Sequence, residues 1–252
     1  MRVLVVLPTY NERENIEAML RTVREVVAQA TILVVDDSSP DGTAEIAEKV
    51  GADLGGIEVL RRPAKKGLGP AYRDGFRWGL GRGYEAFVEM DSDFSHDPRA
   101  LPELLAALDD GVGLVIGSRY VPGGSIPNWS FSRRLISRLG NIYAKVLLGL
   151  GVEDSTAGFR VYSATQLRRV DLDRVHADSY GFQVEMTMLA RHAGTGVVEV
   201  PIHFVDRVAG SSKMSTFTVV EAFVLVTWWG LRRLVWPSWH SSVVRTGVAP
   251  NP

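Results

Sequence analysis

Residues 3–12 read Val3-Leu4-Val5-Val6-Leu7-Pro8-Thr9-Tyr10-Asn11-Glu12, an unbroken apolar run that Pro8 closes and polar residues follow. Consecutive apolar residues without alternation describe a strand covered on both faces, as parallel strands are. The pattern returns at Ile32 to Val35 before Asp36, at Ala86 to Met90 before Asp91, and at Leu114 to Ile116 before Gly117. Helical stretches separate these runs: Glu14 to Ala28, with Ile16, Met19, Leu20, Val23 and Val27 on one face, then Thr43 to Val50, Ala71 to Leu80 and Leu101 to Leu108. Strand followed by helix, four times over, predicts an α/β fold with a mostly parallel sheet, right-handed crossovers and helices on its faces. Ligands of such sheets bind beyond the carboxyl ends of the strands. Here those ends are Thr9 to Glu12, Asp36 to Asp41, Asp91 to Asp97 and Ser118 to Tyr120.

Beyond Tyr120 a Gly/Pro-rich loop, Val121 to Asn128, leads into a basic helical stretch, Phe131 to Leu150, that carries Arg133, Arg134, Arg138 and Lys145 and reads as an insertion flanking the site. A strand at Phe159 to Tyr162, a helix near Phe182 to Arg191 and a strand at Val197 to Val205 follow. The 252 residues, 46% hydrophobic and 23% charged, suit an ordinary globular chain and exclude disorder for its bulk. With 28 basic against 29 acidic residues, nothing draws the whole chain toward nucleic acid, and none is expected as a partner. The absence of cysteine excludes disulfides, thiolate metal sites and a cysteine nucleophile. The first apolar run is too short for a secretory signal, so a cytosolic chain is expected.

Asp91-Ser92-Asp93 places two carboxylates at a strand end, where hard oxygen ligands suit Mg2+ or Mn2+ and, through the cation, a diphosphate; a solvated acidic turn is the alternative. Asp36-Asp37-Ser38-Ser39-Pro40-Asp41-Gly42 offers more carboxylates than helix capping needs, which suggests contacts to a base or ribose. Tyr10, Asn11 and Glu12 could wrap a nucleoside, with Asn11 equally suited to cap the next helix. Lys65, Lys66 and Gly67 to Gly69 form a basic loop before a helix, a weak phosphate signal. Arg119, Arg133, Arg134, Arg207 and Lys213 would make a phosphate pocket if gathered together, and read singly as surface. His96 reads as a turn residue rather than a ligand.

Pro8 to Glu12, Val35-Asp36-Asp37, Met90 to Asp93, Gly117 to Tyr120 and Ala157-Gly158-Phe159-Arg160, in that order, resemble the polyprenyl (dolichyl) phosphate mannosyltransferases, inverting glycosyltransferases of the GT-A type. The resemblance runs from Met1 to about Lys213. It implies a Rossmann-like GT-A fold and transfer of mannose from GDP-mannose to a polyprenyl monophosphate, with Mg2+ or Mn2+. It also implies that Pro8, Tyr10, Glu12, Val35 and Asp37 hold the nucleoside, that Asp91, Ser92 and Asp93 hold the metal and diphosphate, and that Arg119, Arg133, Arg207 and Lys213 gather the phosphates. Ser95 stands where relatives often carry a metal-ligating glutamine. Asp154, ahead of Ala157, could orient the acceptor or take a proton, or simply cap its loop. UDP-glucose in place of GDP-mannose, a nucleotidyltransferase and a non-catalytic membrane recruitment module are the other readings.

Three segments are expected: a catalytic domain over 1–215, an apolar helix over 216–236 and a tail over 237–252. Glu221 and Arg232-Arg233 limit the apolar stretch, so the helix is expected on the inner face of a membrane rather than across it. Packing on the chain's own core or on a membrane-embedded partner protein is the alternative.

Overall fold

The structure is a computed structural model that describes residues 1–205 and 216–235. Seven strands form one sheet: β1 (Val3–Thr9), β2 (Thr31–Asp36), β3 (Ile57–Arg61), β4 (Ala86–Glu89), β5 (Val112–Ser118), β6 (Arg160–Ser163) and β7 (Gly196–Pro201), in the order β3-β2-β1-β4-β6-β5-β7. All neighbours run parallel except β6, which is antiparallel to both β4 and β5. The helices are α1 (Ile16–Val26), α2 (Thr43–Leu54), α3 (Leu68–Leu80), α4 (Leu101–Ala106), α5 (Phe131–Leu148), α6 (Ala164–Arg169), α7 (Ser179–His192) and α8 (Thr216–Val235).

The first run is apolar throughout because β1 is buried on both faces. Leu4 and Val6 join Tyr72, Phe76, Phe87, Tyr162 and Phe182 in one core. Val5 and Leu7 join Ile16, Met19, Leu20, Val88 and Val161 in the other. Close approach on the first face depends on α3: a Cβ on Gly75 would fall 2.6 Å from Val6, and one on Gly79 would fall 2.5 Å from both Leu4 and Phe87.

The reversed strand β6 matters most for function. Because it starts where its neighbours end, the loop 154–159 arrives at the same edge as the tips of β1, β2, β4 and β5. Glu89 near the end of β4 and Ile116 in β5 both pair with Arg160, the first residue of β6.

The last helix does two things at once. Val226 and Trp229 are buried, and Phe223 stacks on Tyr143 of α5 at 4.7 Å, so α8 packs on the chain's own core. Val224, Trp228 and Leu231 are about half exposed on its other side. No helix among the described residues is long and apolar enough to cross a membrane.

Candidate active site

At the tip of β1, Pro8 and Tyr10 are half-buried, and the ring of Tyr10 lies 3.9 Å under the Lys65 ammonium. Asn11 sits at φ 58, a left-handed conformation asparagine tolerates, and its N–H donates to Ser39. It does not cap α1, which begins at Ile16; the Glu12 carbonyl accepts from Asn15 and Ile16 instead. The Glu12 carboxylate accepts from the Asn15 amide at 3.1 Å.

At the tip of β2 the three aspartates divide their work. Asp36 accepts from the Thr9 hydroxyl and from the Ser39 hydroxyl and N–H, and Asp41 accepts from Thr43 and Arg13; both are consumed in building the turn. Asp37 is paired with the buried Arg62 and accepts the Lys66 N–H at 3.1 Å, which ties the basic loop to this tip. The Val35 side chain is fully buried in the core beside α3, so at that position β2 can offer a nucleoside only main chain. The basic loop departs from expectation. The Gly69 N–H at the start of α3 donates to Asp178 at 2.7 Å, so a carboxylate of the chain itself takes the place expected for phosphate.

The acidic turn follows β4. Ser92 and Asp93 are buried, while the Asp91 side chain is about one-third exposed (32%) and is the member open to a ligand. Asp93 accepts the Ser95 N–H at 3.0 Å, closing the turn across Phe94 at φ 61. His96, read as a turn residue rather than a ligand, is buried, stacked on Phe159, and its Nδ1 accepts the Asp91 N–H at 3.2 Å. Behind the turn, burial pushes the Glu89 carboxyl up to about 7 despite the nearby Arg160.

Among the described residues no three His, Cys, Asp or Glu side chains come together as a metal cluster. A pair of carboxylates with a neighbouring hydroxyl is nonetheless a hard-oxygen donor set, and it fits a Mg2+-like ion that completes its shell with water and substrate phosphate. Asp91, Asp93 and Ser95 fit such an ion in that way.

Arg119, just past β5, is held from several sides. Its Nε and Nη2 donate to both oxygens of Asp154 at 2.7 and 2.6 Å, its N–H donates to the same carboxylate, and Nη2 also reaches Thr156. Its guanidinium carbon lies 5.4 to 5.6 Å from the ring centres of Tyr120, Trp129 and Phe204. Burial alone would raise the Asp154 carboxyl, but the charge and hydrogen bonds of Arg119 outweigh it and the net direction is down. Asp154 is fully buried with both oxygens engaged. Of the roles expected for it, orienting the acceptor, taking a proton or capping its loop, the contacts favour a structural one: both oxygens hold Arg119 in place. Glu199 in turn accepts the N–H groups of Glu153 and Asp154 and fixes that loop.

Arg133 is half-buried with its guanidinium 4.0 Å above Trp129. Arg134 donates to the Ile126 carbonyl, bracing the loop before α5. Arg207 and Lys213 lie outside the described residues.

Next to these cations is a cavity of about 420 Å³ between α5, α7 and α8, lined by Trp129, Arg133 and Thr156 and by the apolar Ile136, Tyr143, Val184, Phe223 and Val226. The arrangement joins an acidic turn, a group of arginines and an apolar space on one edge of the sheet. Sequence reasoning missed Arg62, Trp129, Asp178, Glu199 and Phe204, none of which belongs to a motif.

Residues 4–170 match the glycosyl transferase family 2 model. The chain is 52% identical to the undecaprenyl-phosphate mannosyltransferase of Micrococcus luteus, covering 92% of this chain and 95% of the relative. It is 48% identical to the polyprenol monophosphomannose synthase of Mycolicibacterium smegmatis, covering 92% and 88%. Among solved structures, it resembles glucosyl-3-phosphoglycerate synthase from Mycobacterium tuberculosis with Mn2+ and UDP-glucose bound (TM-score 0.66, 18% identity, 100% of this chain and 83% of that one). It also resembles a mannosyltransferase from Pyrobaculum calidifontis in complex with GDP-Man and Mn2+ (TM-score 0.60, 19% identity, 92% and 64%). At such identities these two likenesses establish the GT-A fold.

Proposed function

We propose, from the premise that the chain belongs to glycosyl transferase family 2, that it transfers mannose from GDP-mannose to a polyprenyl monophosphate with inversion at the anomeric carbon. The observation that carries this reading is the apolar cavity opening beside Arg133 and the Arg119 cluster, a short way along the sheet edge from the acidic turn. A polyprenyl phosphate is an anion on an apolar chain, and that combination calls for such a neighbourhood.

An acceptor phosphate oxygen, ionised near neutral pH, attacks the anomeric carbon; the new C–O bond forms as the bond to the GDP oxygen breaks. No strong general base is required, so positioning and charge neutralisation carry the rate. Pro8, Tyr10, Glu12, Asp37 and the main chain at Val35 hold the nucleoside. Asp91 and Asp93, with Ser92 and Ser95, hold Mg2+ or Mn2+ and the diphosphate. That ion, when bound, neutralises charge on the departing GDP. Arg119 and Arg133, joined by Arg207 and Lys213, receive the phosphates.

The acceptor lives in a bilayer, and the cavity wall offers a way to reach it. Phe131, Leu135, Leu139, Ile142 and Val146 form an exposed apolar stripe along α5, at spacings of three and four, and Val224, Trp228 and Leu231 add to it from α8. Arg138 and Arg232 on the same helices suit anionic headgroups, while Lys145 is paired with Glu153. This face seats on the inner surface of the membrane; a membrane-embedded protein is the other occupant with matching chemistry.

Radiolabelled sugar nucleotides presented with a polyprenyl phosphate, with and without EDTA, test the proposal. Label should pass to the lipid from GDP-mannose and cease on chelation. Transfer from UDP-glucose instead would move the donor assignment, and absence of transfer from every donor would favour a recruitment module.

A further inference from the structure

We propose that Phe204 is a positioning residue for transfer, the ring that fixes the acidic turn and the arginine cluster at one separation. It follows β7 and belongs to none of the motifs, yet it touches both halves of the site. On the donor side its ring meets the edge of His96 at 5.5 Å and 71°. His96 is the residue whose Nδ1 accepts the Asp91 N–H and whose other neighbour is Phe159, stacked at 5.1 Å. The main chain follows the same route: Phe204 and His96 form an antiparallel bridge, and the Val205 N–H donates to the Ser95 carbonyl. On the acceptor side Phe204 meets Trp129 edge to face at 5.6 Å and 80°, and its ring centre lies 5.6 Å from the Arg119 guanidinium carbon. Trp129 in turn supports Arg133. One aromatic chain therefore runs from Asp91 through His96, Phe204 and Trp129 to Arg133.

The inference rests on the function proposed above, where these two ends hold donor and acceptor. In-line displacement needs reacting atoms about 3 to 3.5 Å apart, and a misplacement of about 1 Å costs on the order of 100-fold. Phe204 touches His96 on one flank and both Trp129 and Arg119 on the other. Leucine at 204 keeps apolar bulk but loses the ring that sets both contacts. Phe204 is only partly buried, so its replacement leaves the two cores of the sheet intact.

Phe204→Leu, Phe204→Tyr and the parent protein should be compared for kcat, for KM of GDP-mannose, for GDP affinity by calorimetry with Mn2+, and for thermal unfolding. Phe204→Leu should lose about 10- to 100-fold in kcat. Its donor KM and GDP affinity should stay within about twofold of the parent's, the pattern of a lost transition-state alignment. Phe204→Tyr, which keeps the ring, should recover most of the rate. A Phe204→Leu protein with parental kcat would overturn the inference, as would a rate loss matched by an equal loss of GDP affinity or a tyrosine variant as slow as the leucine one. If the parent itself transfers no mannose, the functional reading fails and the inference fails with it. Failure confined to the variants leaves that reading standing.

Discussion

The Asp154→Ala protein should be less stable than the parent by about 3 to 5 kcal/mol, because removing one partner of a buried ion pair strands the other charge. Asp154 is fully buried and Arg119 nearly so, and the guanidinium spends its Nε and Nη2 donors on that one carboxylate. The loss should appear in urea unfolding as a lower midpoint with an unchanged slope. The pH dependence has a definite sign. Since the folded carboxyl titrates below its ordinary value, its contribution to stability is present above that value and drains away as the pH falls below it. Asp154→Ala should therefore be most damaging near neutral pH and converge with the parent in acid. An equal gap between the two proteins at every pH would contradict the pairing. Asp154→Asn, which keeps shape and one acceptor, separates the effect of charge from that of volume.

Asp93→Asn should reduce turnover by about 100- to 1000-fold, the scale on which removal of one preorganised electrostatic contact acts. The fold should survive, because the amide oxygen of asparagine can still accept the Ser95 N–H that closes the turn. What is lost is a negative charge 3% exposed at the strand end, in surroundings where water does little to replace it. Steady-state rates and thermal unfolding, measured on the same preparation, check both halves. Parental turnover in a folded Asp93→Asn protein would remove Asp93 from the metal and diphosphate site.

Much of the fold was legible because the strands are buried on both faces, which makes them short apolar runs ending in polar tips. The edge strand β3 was missed. Ile57-Glu58-Val59-Leu60-Arg61 carries two charges, and among the described residues its outer edge has no neighbouring strand, so it lacks that signature. The reversal of β6 was not readable from four residues, and with it went the reason Asp154 meets Arg119. The acidic turn was visible as a motif, and the structure places it at the end of β4 as expected. Its support was not: His96, Phe204 and Trp129 are brought together from three distant segments by packing alone. On α5 the sequence showed the arginines, and the apolar stripe between them carried the spacing of a core-facing helix. That stripe is exposed among the described residues, with Val146 at 76% and Phe131 at 80%, and it is the face that the proposed function seats on the membrane.

If arginines placed beside an apolar cavity recognise the acceptor first as a phosphate, two acceptors that differ only in that group should separate cleanly. A short prenyl phosphate and the matching prenyl alcohol should be offered to the enzyme with radiolabelled GDP-mannose and Mn2+. Mannose should pass to the phosphate and not to the alcohol, which lacks both the charge and the ionised nucleophile. Equal rates with the two acceptors would contradict it.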